Sequence, residues 1–312
     1  MFKMWFSKDS SPGVTRKLRV FTVDTFTVKP FRGNPAAVCL DLPHEGLTDE
    51  LYQKIAAEMN LPMTAFVNTV NKDDNLASAN RFKLRWFTPK TEWKLCGHAT
   101  LASAFVLFTS LNNSSDELVF ETPGGELSVC KQGELLAMNF PTAETLPQQW
   151  GDFEKFLKVL FPDINIVDSI HLCDPLGFLV IRLKDKWNRE KFETWIPNAE
   201  KLPSVDSSGR VKMVIVTTRG RSEAGFTNIA GEQYDFVSRI FTPWTGLPED
   251  PVTGSAHTVL AKFWGDILGK TSLYARQCSQ RPGDLWLEVR GERTDIKGQS
   301  VLVMESHMNI LV

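Results

Sequence analysis

The chain has 312 residues, of which 42% are hydrophobic and 23% are charged, and its formal net charge is −2 at pH 7. These values are typical of a soluble globular protein, and they exclude a strongly basic surface for nucleic acid or for an anionic membrane. No stretch approaches the ~20 apolar residues of a membrane span. Because the charge also disfavours nucleic acid and an anionic membrane, a small molecule is the expected partner.

The five cysteines are widely spaced, odd in number and without a C-x-x-C pair. This pattern argues against a disulfide framework and against a zinc site, so we predict a cytoplasmic protein without a metal. Neither a G-x-G-x-x-G motif nor a P-loop is present, and no cofactor is predicted.

The first half of the chain is predicted to be rich in short strands. Residues 1–17 are expected to form a flexible tail, and the first strand covers 18–28. A turn at 31–35 leads into an apolar run at 36–40, and a helix capped by Thr48 is predicted over 47–61. Further strands are predicted at 64–70, 82–87, 117–121, 126–129 and 136–140.

Residues 141–150 are predicted to cross to a second half. Helices are expected there over 153–160 and over 192–202, the second interrupted at Pro197, with a polar loop at 204–210. Strands are predicted at 178–183, 211–217, 285–290, 295–297 and 300–305. Many short strands around one buried helix in each half indicate an α+β fold with two barrel-like domains. A chain of this length also favours two domains over one.

A repeated segment relates the two halves. Residues 85–108, RWFTPKTEWKLCGHATLASAFVLF, return as residues 239–264, RIFTPWTGLPEDPVTGSAHTVLAKFW. The offset is 154 residues from Phe87 to Phe241 and 157 residues from Gly97 to Gly254, so the second copy contains three extra residues. Such internal similarity indicates a duplicated fold, in which each copy forms a strand, a turn and a helix.

The helix in each copy is expected to be buried, with its N-terminus at a glycine-containing turn. Its residues after Gly97 or Gly254 are small or apolar on nearly every side, which is typical of a helix inside its domain. The first amides of a helix lack intrahelical partners and carry the positive end of its dipole. Two such N-termini meeting across a cleft would bind one small acid.

Several side chains near these turns have both a chemical and a structural interpretation. His98 could bind a carboxylate or transfer a proton, or it could be a capping or core histidine. Asp250 could be a general base or a turn aspartate. Thr253 and Ser255 are capping residues by default, and the sequence around Ser255 is not a G-x-S-x-G elbow. Cys96 is either a reactive thiol with a lowered pKa or a small buried residue.

Four segments together resemble a known family: RGNPAAV at 32–38, IAAEMNLPMTAFV at 55–67, RWFTP with LCGHATLASA at 85–104, and RIFTPWTGLPEDPVTGSAH at 239–257. They resemble the phenazine-biosynthesis-like (PhzF-type) isomerases, most closely the animal members, and more distantly diaminopimelate epimerase and proline racemase. The resemblance implies a diaminopimelate-epimerase-like α+β fold, in which two similar domains each wrap a mixed β-sheet or barrel around a central helix. The implied domains are 18–140 with a returning strand at about 300–312, and 141–299, with the active site between them.

The resemblance also implies a cofactor-independent isomerase that transfers a proton on a small carboxylic acid, and a homodimer. The family's histidine falls on His98 and its aspartate on Asp250, and we expect this pair to move protons. The expected substrate-binding residues are Asn34, Gly97, Thr253, Gly254 and Ser255.

One position departs from the family pattern. The family's proton-transferring glutamate, in M-N-L-S-E-T, falls on Met63, because residues 59–64 here read M-N-L-P-M-T. A thioether cannot exchange a proton, and losing a general acid or base costs about 10²–10⁴-fold in rate. The alternative is therefore a catalytically impaired member that binds a small acid or a partner protein. Glu58 and Asp250 are the candidates to replace the acid, and Asp250 is preferred.

The second half offers no cysteine at the position that corresponds to Cys96. A racemase with one thiol from each half is therefore rejected.

Overall fold

The computed structural model of the protein describes residues 15–40 and 47–311. The predicted tail lies outside the described residues as far as residue 14, and residues 15–17 already belong to the first strand.

Within the described ranges the chain forms eighteen strands and six α-helices. The strands are β1 Thr15–Thr25, β2 Asn34–Leu40, β3 Met63–Thr69, β4 Arg81–Phe87, β5 Glu92–Trp93, β6 Glu117–Thr122, β7 Gly125–Gln132, β8 Leu135–Pro141, β9 Leu146–Pro147, β10 Val167–Cys173, β11 Phe178–Leu183, β12 Met213–Arg219, β13 Phe236–Thr242, β14 Leu247–Glu249, β15 Ser272–Gln277, β16 Gly283–Arg290, β17 Arg293–Gly298 and β18 Ser300–Leu311. The helices are α1 Asp49–Met59, α2 Gly97–Phe105, α3 Trp150–Leu160, α4 Arg189–Thr194, α5 Leu202–Val205 and α6 Gly254–Leu268. A π-helical turn, Val106–Ser110, continues α2.

The strands of the two halves pair in the same order. In the first half β1 and β2 are antiparallel, β2 and β3 parallel, β3 and β4 antiparallel, and β4 and β6 parallel, before an antiparallel meander of β6, β7 and β8. The second half repeats every step with β10, β11, β12, β13, β15, β16 and β17. The duplication therefore extends well beyond the repeated segment.

The two halves exchange strands. β8 pairs antiparallel with β17, with Met138 opposite Ile296. The last strand, β18, returns to pair antiparallel with β1 along its whole length, whereas the two residues of β9 pair with β10. The domain boundaries at 140/141 and 299/300 stay a prediction.

The core has one helix inside each curved sheet and further helices outside it. Residues 98–104 of α2 and ten residues of α6 are buried, and both helices share a core with inward side chains such as Val38 and Val180. Helix α1 packs on the outer face of the first half, against Phe66 and its neighbours, and α3 packs on the outer face of the second half. This layering is the α+β arrangement expected from the sequence.

Helix α1 is shorter than predicted because both ends are fixed by local chemistry. The Thr48 hydroxyl accepts a hydrogen bond from the Leu51 amide at 3.3 Å, which caps the first turn. Asn60 adopts the left-handed conformation, with φ 48° and ψ 34°, and so ends the helix.

The predicted helix over 192–202 is wrong as one element. Helix α4 ends at Thr194, Trp195 is extended, and helical structure resumes only at residue 199. Because a residue before proline disfavours the α conformation, Pro197 separates the two pieces rather than interrupting one helix.

Four strands were missed in the second half: the short β9 and β14, and the longer β10 and β15. β10 contains a bulge between Val167 and Ser169, which breaks the alternation of its side chains. β15 ends in Arg276 and Gln277, which are both buried although their residue types indicate exposure. Neither strand therefore has the regular polar and apolar alternation on which strand prediction depends.

Candidate active site

Helices α2 and α6 meet at their N-termini. A methyl group placed on Gly97 would lie 4.0 Å from the Cα of Gly254, and the reverse distance is the same. Neither N-cap side chain, Cys96 or Thr253, forms a regular capping hydrogen bond. The positive ends of two helix dipoles thus lie side by side where the halves meet, at a junction that we call the cleft.

Asp250 lies in the loop before α6 and is held by side chains from both halves. The Nδ2 of Asn34 donates to Asp250 Oδ1 at 3.0 Å and to the Val252 carbonyl at 2.8 Å, and the Thr253 hydroxyl donates to Asp250 Oδ2. Asn34 is completely buried at the start of β2, so it fixes a loop of the second half to a strand of the first. The turn predicted at 31–35 gives no indication of this contact of Asn34 with the second half.

Burial raises the pKa of Asp250 to about 6, even though part of the residue remains accessible. Hydrogen bonds from Thr253 and Asn34 lower this pKa, and the charge of Glu249 raises it. The carboxylate is therefore mostly ionised at neutral pH, with a pKa close to the range that suits a general base.

His98 and Cys96 form a buried neutral pair at the start of α2. The Nδ1 of His98 lies 3.4 Å from Cys96 Sγ. Burial lowers the pKa of His98 to about 4 and raises that of Cys96 to about 12. The interpretation of Cys96 as a thiol with a lowered pKa is wrong, because burial outweighs the amides of Ala99 and His98 that point towards its sulfur.

The electrostatics connect this pair with Asp250. The charge of Asp250 contributes to the raised pKa of Cys96, so the two groups are within electrostatic range across the cleft. The Nε2 of His98 is buried and has no hydrogen-bond partner among the described residues. This nitrogen remains available to a ligand as donor or acceptor, depending on the tautomer.

Gln277 supports the Asp250 loop and was not predicted. Its Oε1 accepts from the Thr253 amide at 2.8 Å, and its Nε2 donates to the Asp250 carbonyl at 2.6 Å. The side chain is completely buried at the end of β15. It lies 24 residues after Thr253 in a strand that was itself missed, so no local signal in the sequence indicates its role.

Phe26 forms a wall beside the cleft and was also missed. It follows β1, which ends at Thr25 rather than at residue 28, and it has a φ of 62°, which is uncommon for a bulky residue. Its ring is packed against Gly254 and Gly298, where an added methyl group would lie 3.8 Å and 2.5 Å from the ring. Such backbone strain is concentrated at functional sites in proteins.

Met63 faces the interior of the first half. Its side chain is 5% exposed and belongs to the same core as Cys96. Phe87 and Phe241 are equivalent in the repeated segment, and each pairs with the residue that follows Met63 or Met213. Met63 is therefore the counterpart of Met213, which is also buried in that core.

Ser255, Glu58 and the neighbouring histidine of α6, His257, lie in different surroundings. Ser255 is the second residue of α6 and is partly exposed beside Gly254. His257 is completely buried, and its Nδ1 lies 2.8 Å from the Thr253 carbonyl, away from the cleft. Glu58 is exposed on α1, outside the sheet, and does not join the cleft.

Two cavities, of about 440 Å³ and about 560 Å³, lie in the second half and outside this cleft. The described residues include no group of three or more His, Cys, Asp or Glu side chains that could hold a metal ion. No helix in the described part of the chain is long and apolar enough to cross a membrane.

Comparison with known proteins gives matches over nearly the whole chain. A model of the family described as phenazine biosynthesis-like protein matches residues 23–306. A phenazine biosynthesis-like domain-containing protein of Bos taurus is 44% identical over 290 residues, which are 93% of this chain and 98% of the relative. An uncharacterized isomerase of Pseudomonas aeruginosa is 40% identical over 295 residues, which are 94% of this chain and 100% of that protein.

Solved structures share the architecture. A PhzF-family phenazine biosynthesis protein from Enterococcus faecalis has a TM-score of 0.78 at 34% identity, with 94% of this chain and 99% of that chain covered. A hydroxyproline epimerase from Agrobacterium vitis, solved with trans-4-hydroxy-L-proline bound, shares the fold at a TM-score of 0.53 and 10% identity, with 95% and 94% covered. The expected α+β, diaminopimelate-epimerase-like fold is confirmed.

Proposed function

The chain belongs to the phenazine biosynthesis-like (PhzF-type) family, and we propose that it is a cofactor-independent isomerase that transfers a proton on a small carboxylic acid. The observation that carries the proposal is the meeting of Gly97 and Gly254 at the N-termini of α2 and α6, with the Asp250 loop held across the same cleft. The isomerase name of the Pseudomonas relative supports the reaction class.

The substrate carboxylate binds between the two helix N-termini. Each helix end carries roughly half an elementary charge, so two ends together balance one carboxylate without a lysine or arginine. Glycine at both first positions lets the two helix ends approach each other closely, so that the amides of both can reach one acid group. The hydroxyl of Ser255 is the neighbouring polar group that donates to the acid, while both N–H groups of Asn34 hold the Asp250 loop.

Asp250 acts as the base and then returns a proton to the substrate. The carboxylate removes a proton from a carbon near the substrate's acid group, and the electron pair of the broken C–H bond enters the conjugated system. The two helix N-termini stabilise the negative charge that develops. The acid proton of Asp250 exchanges with solvent before Asp250 delivers a proton to another carbon, so the product gains deuterium in D₂O and the reaction involves no net oxidation or reduction.

His98 assists as a neutral hydrogen-bonding group rather than as a cation. Its pKa of about 4 keeps the imidazole uncharged at neutral pH. Its unpartnered Nε2 provides one hydrogen bond to the reacting molecule, while Nδ1 remains beside Cys96.

A second candidate function, a small-acid binding module without turnover, is favoured by Met63. Its burial and its match to Met213 indicate a packing role at the position of the family's glutamate. If Asp250 needs a second ionisable group for the reaction, Met63 cannot supply it.

The test is proton exchange in D₂O. We would incubate the purified chain with cyclohexadienyl acids and with α-amino acids and follow deuterium incorporation by NMR and mass spectrometry. The isomerase predicts exchange that Asp250→Asn removes and that Asp174→Asn, a change at an exposed aspartate of the same half, leaves intact. An inert wild type together with exchange by Met63→Glu would support the binding module instead.

The homodimer and the cytoplasmic location that the family resemblance implies stay predictions. Sedimentation equilibrium of the purified chain would test the dimer, and a single species at 35.2 kDa would contradict it.

A further inference from the structure

The larger cavity lies inside the second half and has no role in the proposed reaction. Its volume is about 560 Å³, within the range of small-molecule sites. The inner faces of β10 and β11 form one wall, the C-terminal half of α6 forms another, and the linker at 144–147 covers it.

The cavity exists because the two halves are closed differently. In the first half β18 covers the edge of β1 through all of Thr15–Thr25. In the second half the corresponding strand, β9, pairs with β10 only at His171 and Leu172. The short strand leaves the edge of β10 largely uncovered, and the cavity opens beside it.

Polar side chains line this opening where the first half has apolar ones. When the strand register is followed from the repeated Phe-Thr-Pro segments, Leu40 corresponds to Arg182 and Phe21 corresponds to His171. Leu40 and Phe21 are buried in the apolar core. An arginine and a histidine at these inward positions therefore distinguish the second half from its own duplicate.

Arg182 is one of the residues that line the cavity, and its guanidinium is only loosely paired. Its guanidinium lies 5.2 Å from the centre of the Trp264 ring, and its ion pairs with Asp168 and Asp185 are long, at 3.3 Å and 3.8 Å. Its Nε is buried and has no hydrogen-bond partner within the described part of the chain. The terminal nitrogens of the guanidinium, which form these two long ion pairs, are the donors that a planar ligand carboxylate would bind in the geometry that arginine prefers.

The rest of the lining combines negative charge with an apolar surface. Lys262 is already paired with Asp266 at 2.6 Å, and Glu144 adds a further carboxylate near this lysine. Phe263 lies edge-on to His171, with the ring centres 4.9 Å apart, and continues into an apolar face of α6. With His171 neutral, the carboxylates of the lining outnumber its cations, so a simple anion or a phosphate is disfavoured.

From this lining we infer that the cavity is a second ligand site, for an α-amino acid with an apolar side chain. The ligand carboxylate binds Arg182, its ammonium lies between the carboxylates of Glu144 and Asp266, and its side chain packs on Phe263. The site is separate from the proposed active cleft, because the first residue of α6 that lines it, Lys262, lies eight residues after Gly254, about 12 Å along the helix axis.

Isothermal titration calorimetry of the whole chain tests the inference with L-phenylalanine, L-leucine and L-methionine as probes. For the phenyl series, 3-phenylpropionate and phenethylamine each keep one of the two charges. We expect saturable binding of at least one amino acid, and affinities at least about tenfold weaker for the two analogues of L-phenylalanine if it binds.

Single-residue variants test whether the amino acid binds in this cavity. Arg182→Leu, which installs the residue type of Leu40, should weaken amino-acid binding about tenfold or more, whereas Arg210→Leu, at an exposed arginine of the same half, should not change it. Asp266→Asn changes the charge of the lining with almost no change in shape, and it should also weaken amino-acid binding. This second variant keeps the test valid if Arg182→Leu does not fold. Asp250→Asn should leave this binding unchanged, which separates the cavity from the active cleft.

Three results would overturn the inference: no saturable binding of any of the three amino acids, equal binding by wild type and Arg182→Leu, or loss of binding in Asp250→Asn. The last result would place the amino acid in the cleft.

Discussion

The two halves of the chain have the same strand order and the same central helix, but they contribute different groups to the cleft. Both helices begin with a glycine, Gly97 or Gly254, and neither has a regular side-chain cap. The second half provides the carboxylate of Asp250, and the first provides His98, whose Nε2 has no hydrogen-bond partner among the described residues. The duplication has therefore kept the glycine at the helix N-terminus twice, while the groups that we propose for proton transfer differ between the halves.

The halves also differ in how they are closed. Eleven residues of β1 are paired with β18, whereas two residues of β10 are paired with β9. The first half is consequently filled with apolar side chains, and the second half contains a polar cavity beside α6. The same architecture thus contains the proposed acid site between the halves and the proposed amino-acid site within the second half.

The largest expected effect is the loss of proton exchange when Asp250, which comes from the second half alone, is replaced. Asp250→Asn should reduce proton exchange about 10²–10⁴-fold, because the amide cannot accept the substrate proton. Exchange rates measured in D₂O would check this against Asp174→Asn. An Asn variant that keeps more than about a tenth of the wild-type rate would show that another group is the base.

Both copies of the repeated segment begin with an arginine, and the two arginines are expected to contribute differently to the free energy of unfolding. Arg239 is 6% exposed and forms two hydrogen bonds with Glu249, whereas the equivalent Arg85 is 30% exposed and pairs with Glu92 and Asp49. Arg239→Met should lower the free energy of unfolding by about 3–5 kcal/mol, because it leaves a mostly buried carboxylate without its partner.

Arg85→Met is the matched variant and should cost about 0–1 kcal/mol. Urea denaturation of both variants measures the difference. Equal losses would show that the two copies are energetically equivalent at this position.

The pH dependence of stability should carry the signature of Asp250. Its folded pKa of about 6 is above its ordinary value of 3.8, so its contribution to stability is present below pH 4 and is lost as the pH rises through 6. Replacing it by Asn removes this loss. The stability of Asp250→Asn relative to wild type should therefore rise by about 2–3 kcal/mol between pH 4 and pH 7.

His98 and His257 do not obscure this comparison. Their lowered pKa values destabilise the fold as the pH falls towards 4, but they do so in both proteins and cancel in the difference. Chemical denaturation at several pH values measures it. A difference that is independent of pH would contradict the raised pKa of Asp250.

The smallest expected effect tests whether the two helix N-termini are equivalent. In Gly97→Ala or Gly254→Ala the added methyl group meets its nearest neighbours at 3.8–4.0 Å, so both variants should fold. The methyl group nevertheless occupies the space between the helix ends, and each variant should weaken acid binding by about tenfold. Calorimetry with the acid that exchanges would measure this.

Gly151→Ala in α3, where the methyl group meets nothing within 4 Å, is the matched control and should bind normally. If only one of the two cleft glycines matters, the acid is held by one helix rather than by both.

The parts of this arrangement that local sequence determines were predictable. The repeated Phe-Thr-Pro segment and the glycines that open two apolar helices identified α2, α6 and their meeting N-termini. The motif resemblance indicated Asp250, Asn34 and His98 as candidates, and the contact of Asn34 with Asp250 agrees with grouping them in one site.

Other parts depend on contacts between distant segments. Gln277 reaches the Asp250 loop from a strand whose buried polar residues do not resemble a strand pattern. Phe26 adopts its left-handed conformation because the surrounding glycines accept its ring. The cavity beside α6 follows from the unequal lengths of β9 and β18, which only the assembled sheet determines.

The choice between the two interpretations of Cys96 also depends on the assembled fold. A thiol at a helix N-terminus is expected to ionise easily, but the depth of burial decides its pKa here, and burial is not visible in a local motif.

The central claim is that both helix N-termini hold one acid while Asp250 alone moves its proton. A crystal structure with the exchanging acid bound tests this most directly. We expect the carboxylate within about 3 Å of amides at the start of both α2 and α6, and an Asp250 carboxylate oxygen within about 3.5 Å of the carbon that exchanges. A carboxylate bound by one helix only, or an exchanging acid found in the cavity beside Arg182 and not between the helix ends, would contradict the claim.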